Sequence, residues 1–261
     1  MWRWVLVMAN GVQVTYVGGP TLLLEVGGKR FLTDPTFSPA GVHETTPGRP
    51  LTKTEGPGLS AAEVGPVDAV LLSHDQHADN LDPDGRRYVE QALLTLTTPS
   101  GARRLGGTAQ GLAPWHQLHI GPVAVTAVPA QHGPKGSEEL TGEVIGFVLT
   151  GQDLPTVYVS GDNASLDVVR DISRRLRRLD LAVLFAGAAR TSLFDGAPLT
   201  LTSEDAAEAA HALRARNIVP VHTRGWAHFS EGPDEVRKAF AGAGLSDRLH
   251  VLEPGESAHI S

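Results

Sequence analysis

An apolar run that stops at a knot of imidazoles and carboxylates constrains this chain more than any other feature. Ala69-Val70-Leu71-Leu72 leads straight into Ser73-His74-Asp75-Gln76-His77-Ala78-Asp79-Asn80-Leu81-Asp82, which holds two histidines and three carboxylates in the nine residues from His74 to Asp82. A strand with such an end delivers several metal-ligating atoms to one point. Three further apolar runs end in a single ligand. Val125 to Val128 leads to Pro129-Ala130-Gln131-His132, Val157-Tyr158-Val159 to Ser160-Gly161-Asp162, and Val219-Pro220-Val221 to His222. Strand ends on one edge of a sheet layer lie close in space though far apart in sequence, so these side chains can meet at one ion. Taken singly, each has a plainer role: a lone histidine is more often hydrogen-bonded or at the surface, and Asp162 suits a turn or helix cap. The joint pattern is what points to a metal centre. Asp82 before Pro83 reads as a helix cap with proline at the first helical position.

Composition narrows the donor set. The 261 residues include no cysteine, which excludes disulfides, thiolate ligands and cysteine nucleophiles and fits a reducing cytoplasm. Imidazole and carboxylate without thiolate suit Zn, Mn or Fe. The apolar and charged fractions, 41% and 20%, are those of an ordinary globular protein, expected as a single domain over residues 1–261. A net charge of -7 and the lack of a basic stripe disfavour a nucleic-acid partner; the expected partner is a small-molecule substrate. The one basic run, Arg174-Arg175-Leu176-Arg177-Arg178, falls at a predicted helix end, where it complements the helix dipole. Met1-Trp2-Arg3-Trp4-Val5-Leu6-Val7-Met8 is apolar but too short to span a bilayer, and it lacks the longer core and cleavage site of a secretory signal. It reads as a first strand or a ragged translational start.

Periodicity changes along the chain. Strands are expected over residues 12–17, 21–26 and 30–33, with Gly27-Gly28 as a hairpin turn. Residues 34–65 are Gly- and Pro-rich with little periodicity, and at that length they suggest a functional loop or flap. Strands are then expected over 67–72, 95–98, 123–128, 181–185, 218–221 and 249–252, with a hairpin of 145–149 and 156–159 around Gly151-Gln152-Asp153. Helices are expected over 83–94, 100–105, 165–178, 203–216 and 233–243, with Thr202 or Ser203 as a cap. A meander followed by alternating strands and helices suits a two-sheet sandwich covered by helices better than one doubly wound sheet.

These residues together resemble the metallo-β-lactamase superfamily over nearly the whole chain, from about Val12 to Ile260. The signature of that family is His-x-His-x-Asp-His, then a lone His, a lone Asp and a lone His, each at a strand end. Here the 74–80 segment, His132, Asp162 and His222 correspond. Phe31-Leu32-Thr33-Asp34-Pro35 is similar to the family's early Asp-Pro strand end, whose carboxylate supports the metal site from behind. The likeness is strongest to the branch of ascorbate-phosphate lactonases and phospholipase-D-like hydrolases. It implies an α/β fold, a four-layer αββα sandwich of two mixed β-sheets flanked by helices.

The resemblance also implies a ligand set. His74, His77 and His132 would hold a first ion, and Asp79, Asp162 and His222 a second, with Asp162 shared. One or two zinc ions, or Mn or Fe, would lower the pKa of a bound water from about 15.7 towards 7 for attack on a carbonyl carbon or phosphorus. Asp79 would orient that nucleophile or shuttle its proton. Two departures stand out. The segment is one residue longer than the family pattern, so either Gln76 or His77 takes the second histidine's place, and imidazole, the better ligand, favours His77. Asn80 stands where the family has its third histidine, which impoverishes the second metal position. Downstream, Arg224 is a candidate clamp for a carboxylate or phosphate, and His228 a candidate proton donor. A member of the fold that binds without turnover, and a nuclease, are the alternative readings. No Gly-x-Ser-x-Gly elbow and no dinucleotide fingerprint is present.

Overall fold

Paired glycines start the fold. In the computed structural model, which describes residues 11–44 and 48–261, Gly27 and Gly28 both take positive φ (59° and 71°), the geometry of a tight hairpin turn. They join β2 (Thr21–Val26) to β3 (Lys29–Thr33), and β1 (Val12–Gly18) pairs on the other side of β2. The strand or ragged start read in Met1 to Met8 lies outside the described residues. The stretch expected as a long loop carries a short hairpin, β4 (Gly41–His43) with β5 (Leu51–Lys53), and one helical turn, α1 (Ala61–Val64), closed by a Ser60–Glu63 capping box.

Strand–helix units follow: β6 (Ala69–Leu71), α2 (Pro83–Gln91), β7 (Thr95–Thr97), α3 (Pro99–Leu105) and β8 (Ala109–Gly111). Next come β9 (Gln117–Ile120), β10 (Val123–Pro129), the short α4 (Glu138–Thr141), β11 (Ile145–Thr150), β12 (Val157–Val159) and α5 (Leu166–Arg175). The chain ends with β13 (Leu181–Phe185), α6 (Ser203–Leu213), β14 (Asn217–Val221), α7 (Pro233–Gly242) and β15 (Ser257–Ile260). One sheet has the order β15-β1-β2-β3-β6-β7-β8 and the other β14-β13-β12-β11-β10-β9. Both mix parallel and antiparallel pairs.

Alternation along the strands sorts the core into three layers of contact. Val14, Leu24, Phe31, Leu71, Val125, Phe147, Val183 and Phe185 fill the space between the sheets. Tyr158, Ala182 and Leu184 face outward from the second sheet onto Ile172 of α5, Ala206 and Ala210 of α6 and Phe240 of α7. Leu32, Val70 and Leu72 face outward from the first sheet onto Val64 and Val89. The result is the four-layer αββα sandwich of mixed sheets expected from the sequence.

Residues 249–252 correct one expectation. They form no strand; Leu249 makes a single bridge to Ile218 after a tight turn over Ser246–Arg248. The closing strand is β15 instead, after a turn at Gly255, on the free edge of β1. The edge strands β8 and β9 were not anticipated, because half-exposed edges such as Gln117-Leu118-His119-Ile120 carry weak apolar signal. The helix expected to 216 stops at Leu213, where Arg214 turns left-handed (φ 53°), and the one expected to 178 stops at Arg175, before extended Leu176.

The topology turns the ends of β6, β10, β12 and β14 towards one edge of the sandwich. Two backbone hydrogen bonds stitch the sheets there. Ile145 N–H donates to Ser73 O (3.2 Å), and His222 N–H donates to Gly19 O (2.7 Å). A buried ion pair braces the same corner: Lys53 Nζ lies 3.0 Å from Asp82 Oδ2, with side chains 4% and 0% exposed. Asp82 is the expected cap, accepting from Gly85 N–H, and it also accepts from Phe37 and Ser38 N–H. Removing the cation would leave a carboxylate buried without a countercharge. Lys53→Met is therefore expected to lower unfolding stability by about 3 kcal/mol in urea titrations.

Candidate metal centre

Three imidazoles meet where β6 and β10 end. His74 Nε2 lies 2.9 Å from His77 Nδ1, which lies 3.2 Å from His132 Nε2. Asp162 Oδ2 completes the group, 3.4 Å from His132 Nε2 and 4.0 Å from His74 Nε2. One donor atom from each of the four residues lies within 4.8 Å of the others. The tautomer of His132 follows from its other nitrogen. Nδ1 is 2.7 Å from Leu199 O, and a carbonyl only accepts, so Nδ1 carries the proton and Nε2 turns a lone pair inward. Burial, together with the neighbouring imidazoles, pushes His74 well below the usual histidine range. Burial, with the neighbouring His132 imidazole, brings His77 down to about 4. Both are neutral at pH 7, the form in which imidazole ligates a metal.

The second group shares Asp162 with the first. Asp79, Asp162 and His222 also hold donor atoms within 4.8 Å of one another. His222 Nε2 lies 3.2 Å from Asp79 Oδ2 and 3.8 Å from Asp162 Oδ1. Burial opposes charge on Asp79, but the imidazoles of His228 and His222 outweigh it and hold the carboxyl well below its usual range. Burial likewise opposes charge on His222, and the carboxylates of Asp162 and Asp79 raise it. Asp79 Oδ1, Asp162 Oδ2 and both His222 nitrogens are buried without a hydrogen-bond partner. Orphaned buried carboxylate oxygens cost several kcal/mol. A divalent cation offsets that cost by supplying charge and bonds together, so this donor set fits Zn, Mn or Fe and excludes none of them.

Supporting residues hold the donors in place. Asp34 Oδ1 accepts from Ser73 N–H at 2.6 Å, immediately before His74, and burial raises its carboxyl to about 8. His222 sits at φ 58°, a left-handed conformation costing roughly 1–3 kcal/mol for a non-glycine residue. Its ring packs between Phe185 and Phe229, with centroids 5.3 and 4.1 Å away. Gly187 leaves room for this turn, since a Cβ there would lie 2.0 Å from His222 O.

Of the two residues competing for the second histidine position, His77 brings a nitrogen into the converging group. Gln76 packs on Gly142, where an added Cβ would lie 2.1 Å from its Oε1. Asn80 Nδ2 donates to Asp162 Oδ1 at 3.1 Å, so its amide acts as a hydrogen-bond donor to the shared carboxylate. His228 is brought into the site, with Nε2 2.9 Å from Asp79 Oδ2. Arg224 is not, which corrects its assignment as a substrate clamp. Its guanidinium is engaged by Glu55 at 3.1 Å and by Glu253, and it is absent from the cavity wall.

A cavity of about 380 Å³ opens onto the donors, lined by His77, Asp79, His132 and His228 together with Arg49, Leu51, Thr141, Ala189 and Leu199. Sequence reasoning missed the carbonyl of Leu199, for which no side-chain signal exists. It also missed Arg49, which lies inside the stretch flagged only as a flap.

Residues 29–223 match the family described as the beta-lactamase superfamily domain. A metal-dependent hydrolase of Pelotomaculum thermopropionicum is 29% identical over 260 residues, covering 95% of this chain and all of the relative. A metal-dependent hydrolase of Rubrobacter xylanophilus is 28% identical over 259 residues, covering 95% of this chain and 97% of the relative. Among solved structures, the isothiocyanate hydrolase from Delia radicum gut bacteria superposes with a TM-score of 0.82 at 24% identity, covering 95% of this chain and 99% of that one. A metallo hydrolase of Ignicoccus hospitalis gives 0.72 at 19% identity, over 96% and 98%. At these identities the structural likeness is one of fold.

Two outcomes are expected. His132→Ala, which removes one inward lone pair, should purify with most of its metal lost, read by elemental analysis, while its secondary structure is unchanged by circular dichroism. In metal-free protein Asp34 keeps its proton up to about pH 8, above the unfolded carboxyl value near 4. Its stabilising contribution is full below pH 4 and disappears as pH rises through 8. Asp34→Asn should remove that slope from denaturation midpoints measured between pH 5 and 8.

Proposed function

Because the chain belongs to the β-lactamase superfamily, we propose that its paired donor groups hold one or two zinc ions, or Mn or Fe, and serve to hydrolyse an ester, lactone or phosphodiester bond of a small molecule. The chain is a metal-dependent hydrolase, the activity its curated relatives are named for. The observation that carries the finer reading is Asp79. It belongs to a donor group, faces the cavity and is hydrogen-bonded by His228. A divalent cation in this setting supplies Lewis acidity and activates water near neutral pH.

The side chains do the rest. Asp79, ionised at neutral pH, orients the attacking water and takes its proton. His228, bonded to that carboxylate and part of the cavity wall, passes a proton to the leaving group. The cavity's size suits a small molecule. The isothiocyanate hydrolase of similar fold is named for a compact electrophile, which is in keeping with such a cavity. A cysteine-free, acidic chain supports a cytoplasmic setting and argues against a nucleic-acid substrate. Among the described residues no helix is long and apolar enough to cross a membrane.

Metal-loaded protein should cleave at least one member of a panel of lactones, aryl esters and phosphodiesters. A chelator should abolish the activity, and added zinc or manganese should restore it. His228→Gln should lower kcat by about 100-fold with metal content unchanged. Turnover that survives both chelation and His74→Ala would sink the reading.

A further inference from the structure

Among the described residues, one cation in the cavity wall has no carboxylate partner. Arg49, between β4 and β5, donates from Nη1 to the carbonyl oxygen of Leu140 at 2.7 Å. That bond ties the hairpin to α4. A guanidinium carries five N–H donors in a planar fork. A carbonyl uses one of them and neutralises no charge. Several other arginines are held by carboxylates: Glu55 and Glu253 hold Arg224, Asp75 holds Arg104, and Asp167 and Glu208 hold Arg170. Arg86, Arg190 and Arg248 also bond carbonyl or hydroxyl oxygens, but none of them lines this cavity. No described carboxylate pairs with Arg49, and the cavity wall contains neither lysine nor a second arginine.

From this geometry we infer that Arg49 is the specificity-determining residue of the site, and that the substrate carries a single carboxylate that the guanidinium fork binds while the bond to be cleaved lies at the donor groups. The inference rests on the hydrolase reading above. One fixed positive charge matches one negative charge, and planar donors match a carboxylate in two parallel hydrogen bonds. A phosphate monoester, with close to two negative charges, would call for a second guanidinium or ammonium, and the wall offers neither. The rest of the wall, with Pro50, Leu51, Ala78, Ala189 and Leu199, suits a short apolar body between the two ends.

The test uses metal-loaded full-length protein and a matched pair of esters: para-nitrophenyl hydrogen succinate, which is anionic, and its neutral methyl ester. Wild type should favour the anionic ester by about 10- to 100-fold in kcat/KM, expressed mostly in KM. In Arg49→Gln that ratio should fall towards one, and Arg49→Lys should keep part of it. A wild-type ratio near one, or a ratio unchanged in Arg49→Gln, overturns the assignment while leaving hydrolysis intact. If neither ester turns over, calorimetric titration with succinate decides. Binding that weakens about tenfold or more in Arg49→Gln supports the assignment, and equal binding in both proteins overturns it.

Discussion

Electron-rich atoms crowded into a buried corner are the constraint on which the rest of this molecule depends. Ring nitrogens of His74, His77 and His132 face one another beside the buried oxygens of Asp162 and Asp79. Left alone, such a group repels itself and forfeits its solvation. It persists because both sheets converge on it. The backbone bonds from Ile145 to Ser73 and from His222 to Gly19 close the corner, and the Lys53–Asp82 pair locks the loop that carries Asp79 against the hairpin. The left-handed turn at His222 belongs to the same economy, with strain stored where a ligand must be aimed.

Burial and charge sort these groups into two kinds. At the three-imidazole end, burial and the neighbouring rings keep His74 and His77 neutral, and the Leu199 carbonyl orients His132. The other end couples ionised Asp79 to His222 and His228. An imidazole-rich group beside a group of two carboxylates, with Asp162 common to both, is a sensible division between holding an ion and moving protons. Asn80, spending its amide on Asp162, makes the halves more unequal than a third imidazole there would.

Much of this was legible in the residues. The His74 to Asp79 knot and the lone His132, Asp162 and His222 stand out because each directly follows an apolar run, and strand direction then determines where they go. Asp82 declared itself as a cap through the proline after it. What stayed hidden acts through backbone or through distant pairing. The Leu199 carbonyl has no side-chain signature. The fate of Arg224 depended on Glu55 and Glu253, acids remote in sequence from it or from each other. Residues 249–252 looked like a strand on local pattern, yet the edge of β1 was taken by the more polar Ser257–Ile260, a choice made by topology. Arg49 was hidden by its Gly- and Pro-rich surroundings, which reveal a loop and nothing of what the loop covers.

The most direct measurement is anomalous X-ray scattering from crystals of protein loaded with zinc, recorded on both sides of the absorption edge. The account predicts a strong peak among His74, His77, His132 and Asp162, with any weaker companion between Asp79, Asp162 and His222. A map with zinc bound elsewhere, or with no peak at this corner in protein that has taken up the metal, would contradict it.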